Sequence, residues 1–238
     1  MPKKKKKKKI IPLSKVFSIE MAMDCIKVLG DGKQRLNLSF KEFDAVPESI
    51  QKLWRVEELI LGRNLIVELP DFLRDFTKIQ VLDLHSNYLE KIPPTVGLLK
   101  SLVVLNLCNN RLKQVPKELG LLQNLQKLYL GLNQLQILPT AIGDLHELVY
   151  IGLSDNRFSV VPKCLANLPK LKKINLDRNP FPSPPDLKKM ALPKTFFMAN
   201  AYNLCEVCLK NCRADRKRLL NAGQVKAPVY VPRVETVT

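Results

Sequence analysis

The sequence repeats itself every 23 residues, and this period constrains the fold more than any other feature. The pattern LxxLxLxxNxL recurs in seven consecutive copies, and no insertion or deletion separates them, although the first copy has Lys33 at the first leucine position and Lys41 at the asparagine position. The copies begin at Lys33, Val56, Ile79, Leu102, Leu125, Leu148 and Leu171. Independent amphipathic helices would instead space their apolar residues with a period of about 3.6. We therefore predict a stack of similar coils.

Each part of the repeat predicts one part of a coil. The LxL pair, such as Leu59 and Leu61, alternates as in a strand, so both leucines face the core. A proline follows the strand at positions 47, 70, 93, 116, 139 and 162. Apolar residues three apart, such as Leu73 and Phe76, then favour a helical or 3₁₀ turn. One coil cannot bury its own apolar side, so neighbouring coils must share a core.

The fold class predicted from this pattern is α/β. It is a curved leucine-rich repeat solenoid with a parallel sheet on the concave side and helical caps at both ends. We expect a basic, disordered tail over residues 1–17, a capping helix over 18–32 and the seven-repeat solenoid over 33–193. A C-terminal helical cap over 194–223 and a flexible tail over 224–238 are predicted to follow.

The asparagine of each repeat sits where the strand ends and the chain turns. Its amide can donate to and accept from backbone groups of adjacent coils that would otherwise be buried without a partner. We predict a structural asparagine ladder formed by Asn64, Asn87, Asn110, Asn133, Asn156 and Asn179.

Several segments carry a resemblance to known proteins. They are Cys25 to Lys27, Leu82 to Tyr88, Leu130 to Asn133, Leu168 to Lys173, Arg178 to Pro182, and the C-terminal cysteines Cys205, Cys208 and Cys212. The repeat resembles that of intracellular Ras-suppressor-type leucine-rich repeat proteins, and more closely the group around leucine-rich repeat-containing protein 18. The resemblance implies a non-enzymatic, intracellular protein with a role in spermatogenesis or signalling.

The net charge of +17 is concentrated at the two ends. Residues 1–32 carry nine basic and three acidic side chains, and the run from Lys3 to Lys9 has no interleaved aromatic residue. Such a run is typical of a solvated tail, and the alternatives are nuclear import or a weak polyanion contact. A basic nuclear accessory factor that contacts nucleic acid through its charged ends is therefore the second functional hypothesis.

No apolar run reaches the roughly 18 residues that would span a bilayer, and no apolar segment follows the lysines as in a secretory signal. Cys25, Cys108 and Cys164 are far apart in the sequence, as expected of reduced thiols. These features predict a cytoplasmic protein, with the nucleus as the alternative.

Catalytic and metal-binding motifs are weak in this sequence. Cys205, Cys208 and Cys212 have part of the spacing of a zinc site, but three cysteines on one helical stripe also suit packing against the last repeat. His85 stands two residues from Asp83, and none of the common nucleotide, zinc-protease or serine-hydrolase motifs is present. We expect no enzyme activity, no metal, no cofactor and no small-molecule ligand.

The strand residues that flank the buried leucines should form a binding face for an unknown protein partner, and we expect the chain itself to be a monomer. Several of these residues are apolar or aromatic, and an apolar area rimmed by charge is typical of a contact site. The alternative is that valine, isoleucine and tyrosine are present only because they favour strands. The predicted contacts are Glu58, Ile60, Val81, Asp83, His85, Val104, Asn106, Lys127, Tyr129, Leu132, Tyr150 and Asp155.

Overall fold

A computed structural model describes residues 12–182 and the backbone of residues 197–198, and the statements below concern these residues. The described strands form one nine-stranded sheet in which the spatial order follows the chain order. The strands are β1 (Ile26–Val28), β2 (Gln34–Asn37), β3 (Glu58–Ile60), β4 (Val81–Asp83), β5 (Val104–Asn106), β6 (Lys127–Tyr129), β7 (Tyr150–Gly152), β8 (Lys173–Asn175) and β9 (Phe197–Met198).

A 3₁₀ helix follows each of the strands β2 to β7 and runs along the opposite side of the coil. The segments are η1 (Glu48–Leu53), η2 (Asp71–Asp75), η3 (Pro94–Leu98), η4 (Lys117–Leu121), η5 (Thr140–Asp144) and η6 (Lys163–Asn167). The repeated proline occupies the N-cap position of each segment, as Pro116 does for η4. The proline ring fixes φ near the value that a helix start needs, which explains its recurrence before every segment.

The core lies between the sheet and the 3₁₀ layer. Leu82, Leu105 and Leu128 from the strands have no exposed surface, and neither have Leu119 and Ile142 from the 3₁₀ segments. From β2 to β8 the strands are parallel and pair residues 23 apart, for example Leu82 with Leu105. Every coil therefore adds the same layer of leucines to one continuous core. The predicted curved leucine-rich repeat solenoid is confirmed.

From the second coil onwards, the asparagine of each coil bonds both to the coil before it and to its own coil. Asn133 Nδ2 donates to the carbonyl of Leu107 at 2.9 Å, and its Oδ1 accepts from the amide of Leu112 at 3.0 Å. It also donates to its own coil at Leu130. Asn64, Asn87, Asn110, Asn156 and Asn179 repeat this arrangement. Backbone groups that the turn would leave buried and unpaired are satisfied in this way.

The residue before each ladder position has a left-handed backbone. Arg63, Ser86, Asn109 and Leu132 have φ values of 58°, 56°, 56° and 58°. Such values are uncommon for residues other than glycine. The amide of this residue donates to the next coil, as Leu132 N does to Ser154 O at 2.8 Å. The hydrogen bond between coils therefore offsets the local backbone strain of the turn.

The N-terminal end differs from both predictions made for it. The tail predicted over residues 1–17 is wrong for its last part, because Leu13–Val16 form helix α1. Ser14 Oγ donates to Asp44, and the buried ring of Phe17 meets Phe43 edge-on with centroids 4.9 Å apart. These contacts anchor the segment to the first coil.

The capping helix predicted over residues 18–32 is correct only at its start. Helix α2 covers Ile19–Met23, and the Ser18 side chain accepts a hydrogen bond from Met21 N at 3.3 Å. The next residues form β1, which pairs with β2 in the antiparallel direction. The free edge of β2 exposes backbone groups that a strand can satisfy and a helix cannot. This edge explains why a helical apolar spacing was overridden.

The C-terminal boundary predicted at residue 193 is also wrong. β9 pairs in parallel with β8, 24 residues further along the chain. The sheet therefore continues into the region 194–223, which was predicted to be a helical cap. The remainder of that region, the lysine run, the three clustered cysteines and the tail over 224–238 lie outside the described residues.

Glycine allows the 3₁₀ layer to pack closely between neighbouring coils. A Cβ atom placed on Gly120 would lie 2.2 Å from the carbonyl oxygen of Ala141. At Gly97 the same atom would lie 2.3 Å from the carbonyl oxygen of Glu118. Both obstacles are backbone atoms, so a larger residue would have to separate the coils.

We expect Gly120→Ala to lower the free energy of unfolding by about 2 kcal/mol, because the added methyl group overpacks this layer. Urea unfolding followed by circular dichroism measures the change. Gly30→Ala is the matched control, since a Cβ at Gly30 meets nothing within 4 Å. Equal stability of the two variants would contradict the close packing described here.

We expect Asn133→Ala to lower the free energy of unfolding by about 3 kcal/mol, since it leaves buried backbone groups of two coils unpaired. The same urea titration measures this. Asn124→Ala, which removes a single exposed hydrogen bond to Lys100 O, should cost less than about 1 kcal/mol. A loss at Asn133 no larger than at Asn124 would show that the ladder is dispensable.

Candidate protein-binding face

The parallel register arranges the strand side chains in columns across the sheet. We call the sheet surface that points away from the leucine core the concave face. One column contains Glu58, Val81, Val104, Lys127 and Tyr150. The parallel column contains Ile60, Asp83, Asn106, Tyr129 and Gly152. Residues 23 apart in the sequence are therefore side by side on this face.

Most of the predicted contact residues are half-buried on this face. Ile60, Val81, Val104 and Tyr129 keep part of their surface accessible, and Lys127 is exposed. Tyr150 is different, because only 8% of its surface is accessible. The expectation that Tyr150 is an exposed contact is therefore wrong.

Tyr150 is buried partly because its coil has glycine where other coils have a side chain. A Cβ on Gly152 would lie 3.1 Å from Tyr150 Oη, so the phenol covers the empty position of that column. From there its ring meets that of Tyr129, with centroids 4.9 Å apart and a tilt of 40°. Tyr150 thus supports Tyr129 from one side, and Tyr129 is the accessible member of the pair.

Asp83 and His85 form a hydrogen-bonded pair at the middle of the face. His85 Nδ1 and Asp83 Oδ1 are 2.7 Å apart, and the His85 backbone amide donates to the same oxygen at 3.0 Å. The imidazole lies over Gly62, where a Cβ would come within 2.4 Å of the ring. Asp83 and a missing side chain on the neighbouring coil therefore fix the orientation of His85.

Two ion pairs join neighbouring coils, one between strand residues of the face and one at the turn that follows the strands. Arg35 forms an ion pair with Glu58, and Arg178 forms one with Asp155. Arg178 Nε donates to Asp155 Oδ1 at 2.6 Å, and this hydrogen bond raises the pKa of Arg178. Asp155 was predicted to contact a partner, but its carboxylate is almost completely buried and already holds a guanidinium. Its local role is to join coils six and seven.

Comparisons with known proteins agree with this geometry. The sequence profile of the leucine rich repeat family matches residues 100–158. Among solved structures, 339 chains match. The described coils have the leucine-rich repeat fold.

Two solved structures show how far the similarity extends. A leucine-rich repeat protein of Leptospira interrogans is 28% identical over 69% of this chain, with a TM-score of 0.54. The ectodomain of the Arabidopsis thaliana receptor kinase GASSHO1/SCHENGEN3, solved in complex with CASPARIAN STRIP INTEGRITY FACTOR 2, is 33% identical over 66%, with a TM-score of 0.56. The present chain spans 53% of the first protein and 19% of the second. No curated protein shows significant sequence similarity to it.

The described part of the chain contains no cluster of three or more histidine, cysteine, aspartate or glutamate residues suited to a metal ion. None of its described helices is long and apolar enough to cross a membrane. The described cysteines Cys25, Cys108 and Cys164 form no disulfide with one another, and burial raises the pKa of Cys164 to about 11. The Cys164 thiol is therefore protonated and unreactive near neutral pH.

Coils six and seven also contain buried polar atoms without a hydrogen-bond partner among the described residues. They are Tyr150 Oη, Ser154 Oγ and Asn175 Nδ2. Each such atom costs roughly 1–3 kcal/mol when it is buried unpaired. Because Tyr150 is only 8% accessible and Ser154 and Asn175 have no exposed surface, this end of the sheet is less accessible than the centre, where Val81, Val104 and Tyr129 lie.

Two features, one on the face and one beside it, were not predicted from the sequence. Gly62 and Gly152 shape the face by the absence of a side chain, and Phe40 and Tyr88 stack with arginines outside it. The 23-residue spacing could have revealed the second feature, because Phe40 and Arg63 are one period apart and so are Tyr88 and Arg111.

Burial raises the pKa of Tyr129 and of Tyr150, and the increase is far larger for Tyr150. The unfolded chain ionises this phenol near pH 10, whereas the folded protein keeps the proton. The stability that Tyr150 contributes is thus complete below pH 10 and is lost as the pH rises further.

We expect the wild-type protein to lose about 1 kcal/mol more stability than Tyr150→Phe between pH 10 and pH 11. Urea unfolding at each pH measures the two slopes. The phenylalanine variant keeps the ring but lacks the ionisable hydroxyl at position 150, so it is the control for the wild type. Parallel slopes would mean that Tyr150 ionises normally and is not buried as described.

Proposed function

We propose that this leucine-rich repeat protein is a non-enzymatic scaffold that binds a protein partner through the centre of its concave face. The observation that carries the proposal is the half-exposed apolar group of Ile60, Val81, Val104 and Tyr129 on adjacent strands. Exposed apolar area of this kind, bordered by charged side chains, marks contact surfaces in soluble proteins.

Rigidity supports the same assignment. Tyr129 is held by Tyr150, and His85 is held by Asp83, so both side chains lose little freedom when a partner arrives. Large aromatic side chains fixed before association are the usual centres of binding energy. Lys127 lies exposed between Val104 and Tyr150 in its column and adds a positive charge beside the apolar group.

The fold makes protein binding the natural use of such a face. The ectodomain of the plant receptor kinase in the comparison was solved in complex with CASPARIAN STRIP INTEGRITY FACTOR 2. That complex supports ligand binding by a solenoid of similar fold. Ligand identity, however, depends on the exposed residues of each solenoid and not on the fold. The partner is therefore defined here only by its complementarity to the apolar centre and to Lys127.

The proposal also includes the cellular setting. We place the protein inside the cell as a monomer, in the cytoplasm, with the nucleus as the alternative site. Three reduced cysteines in the described residues support a reducing compartment. A role in spermatogenesis rests on the resemblance of the repeat segments and the C-terminal cysteines alone.

We expect Val104→Glu, Lys127→Glu and Tyr129→Ala each to weaken partner binding at least about tenfold, because they alter the apolar centre without touching the leucine core. The partner is first captured with the full chain from the tissue of highest expression. Its affinity for each purified variant is then measured by surface plasmon resonance.

Two exposed residues of η4 on the opposite side supply matched controls. Lys117→Glu repeats the charge reversal, and Leu121→Glu repeats the introduction of an acid at an apolar position. Both controls should bind the partner like the wild type. The proposal fails if the controls weaken binding as much as the concave variants do, or if folded concave variants bind with unchanged affinity.

A further inference from the structure

A second surface lies outside the concave face, where the strands of the first four coils have ended. It consists of Phe40, Arg63, Leu65, Val67, Tyr88 and Arg111, and we call it the edge stripe. Phe40 is 67% exposed, Val67 52%, Leu65 45% and Tyr88 39%. Exposed large apolar side chains usually occur singly on a protein surface, so four of them on one edge are unusual.

Arginine stacks on the aromatic rings of the edge stripe. The guanidinium of Arg63 lies 4.8 Å from the centroid of Phe40, and that of Arg111 lies 4.4 Å from the centroid of Tyr88. Each pair joins neighbouring coils, whose strands are about 4.8 Å apart. The spacing of the coils therefore matches the stacking distance of a guanidinium on a ring.

Stacking orients the two arginines but leaves their N–H groups uncommitted. In the described part of the chain neither Arg63 nor Arg111 forms an ion pair, whereas Arg35 and Arg178 each hold a carboxylate. A planar guanidinium held flat against a ring presents its edge to an incoming carboxylate or phosphate. The edge stripe thus offers two preoriented anion-binding groups.

The aliphatic residues that follow Arg63 on coil two distinguish the two kinds of anion. Leu65 and Val67 can bury apolar side chains of a peptide, but they cannot stack nucleobases as aromatic platforms do. Glu68 and Glu90 next to the stripe would also oppose a continuous phosphate backbone. The chemistry favours a peptide with separate carboxylates and apolar side chains between them.

We infer that the edge stripe binds an extended acidic peptide segment of a partner protein, with Arg63 and Arg111 each holding one carboxylate. Arg63 and Arg111 lie on coils two and four, so the component of their separation along the stack is roughly 10 Å. Acidic residues three apart in an extended peptide have the same separation. Apolar side chains of the peptide near the carboxylate that Arg63 holds contact Leu65 and Val67.

A random 12-residue peptide display library, selected against the full chain, tests this inference. Peptides enriched by the wild type should contain acidic residues three apart with apolar residues between them. The most enriched peptide, labelled with fluorescein, is then titrated by fluorescence anisotropy. Its affinity should fall at least about tenfold in the double variant Arg63→Gln, Arg111→Gln, since both carboxylates lose a charged partner.

Arg157→Gln is the matched control. Arg157 occupies the same repeat position as Arg111, two coils further on, and it stacks on no aromatic ring within the described residues. This variant should bind the peptide within about twofold of the wild type. Equal weakening by Arg157→Gln would overturn the inference, because general positive charge would then account for binding. Enrichment without acidic residues would overturn it as well.

Two further measurements distinguish a peptide on the edge stripe from nucleic acid on the same residues and from a peptide on the concave face. A 12-nucleotide oligothymidine that binds more tightly than the peptide, and is lost in the double variant, would assign the stripe to nucleic acid. Loss of peptide binding in Val104→Glu, with the double variant unchanged, would place the peptide on the concave face. In that case the edge stripe inference fails and the proposed function stands.

Discussion

The structure depends on an asparagine that satisfies the backbone of the coil before its own. Because Asn133 donates to Leu107 and accepts from Leu112, each coil is complete only when another follows it. The stack therefore has a direction. The first coil has no predecessor whose carbonyl needs a donor, and this explains why Lys41 takes the asparagine position there. Its backbone amide instead donates to Asn64 at 3.0 Å. A leucine core alone would favour stacking but would not fix this order.

Because the register is fixed, surface residues that are 23 apart in the sequence are neighbours on adjacent coils. This relation serves as a contact rule for the surface. Within the described coils, the ion pairs that join one coil to another, Arg35–Glu58, Glu147–Lys170 and Asp155–Arg178, are 23 residues apart, and so are the pairs Phe40–Arg63 and Tyr88–Arg111. Residues at i and i+23 are thus for this solenoid what residues at i and i+4 are for a helix. The rule can be applied to the sequence directly, without coordinates, wherever both positions point outwards.

This rule explains which parts of the structure the sequence could predict. The coils, the buried leucines and the 3₁₀ turns follow from the period, because each depends only on its own coil and two identical neighbours. The ends do not. The residues of β1 have a helical apolar spacing, yet the unpaired edge of β2 pulls Ile26–Val28 into the sheet. β9 joins after 24 residues and not 23, so a search for the strict period passes over it. Both errors arise where a coil lacks one identical neighbour.

The exposed surfaces were predicted less well for a related reason. Strand alternation places Tyr150 on the concave face correctly. Its ring is buried only because the glycine at position 152 leaves room for it in the neighbouring column. Likewise, the left-handed backbone at Phe40 and Arg63 directs these side chains to the edge of the sheet, and a simple strand pattern contains no such turn. Exposure on a solenoid is therefore decided by the neighbour one period away as much as by the residue itself. Pairing every outward position with its neighbour at i+23 would have separated an accessible Tyr129 from a supporting Tyr150.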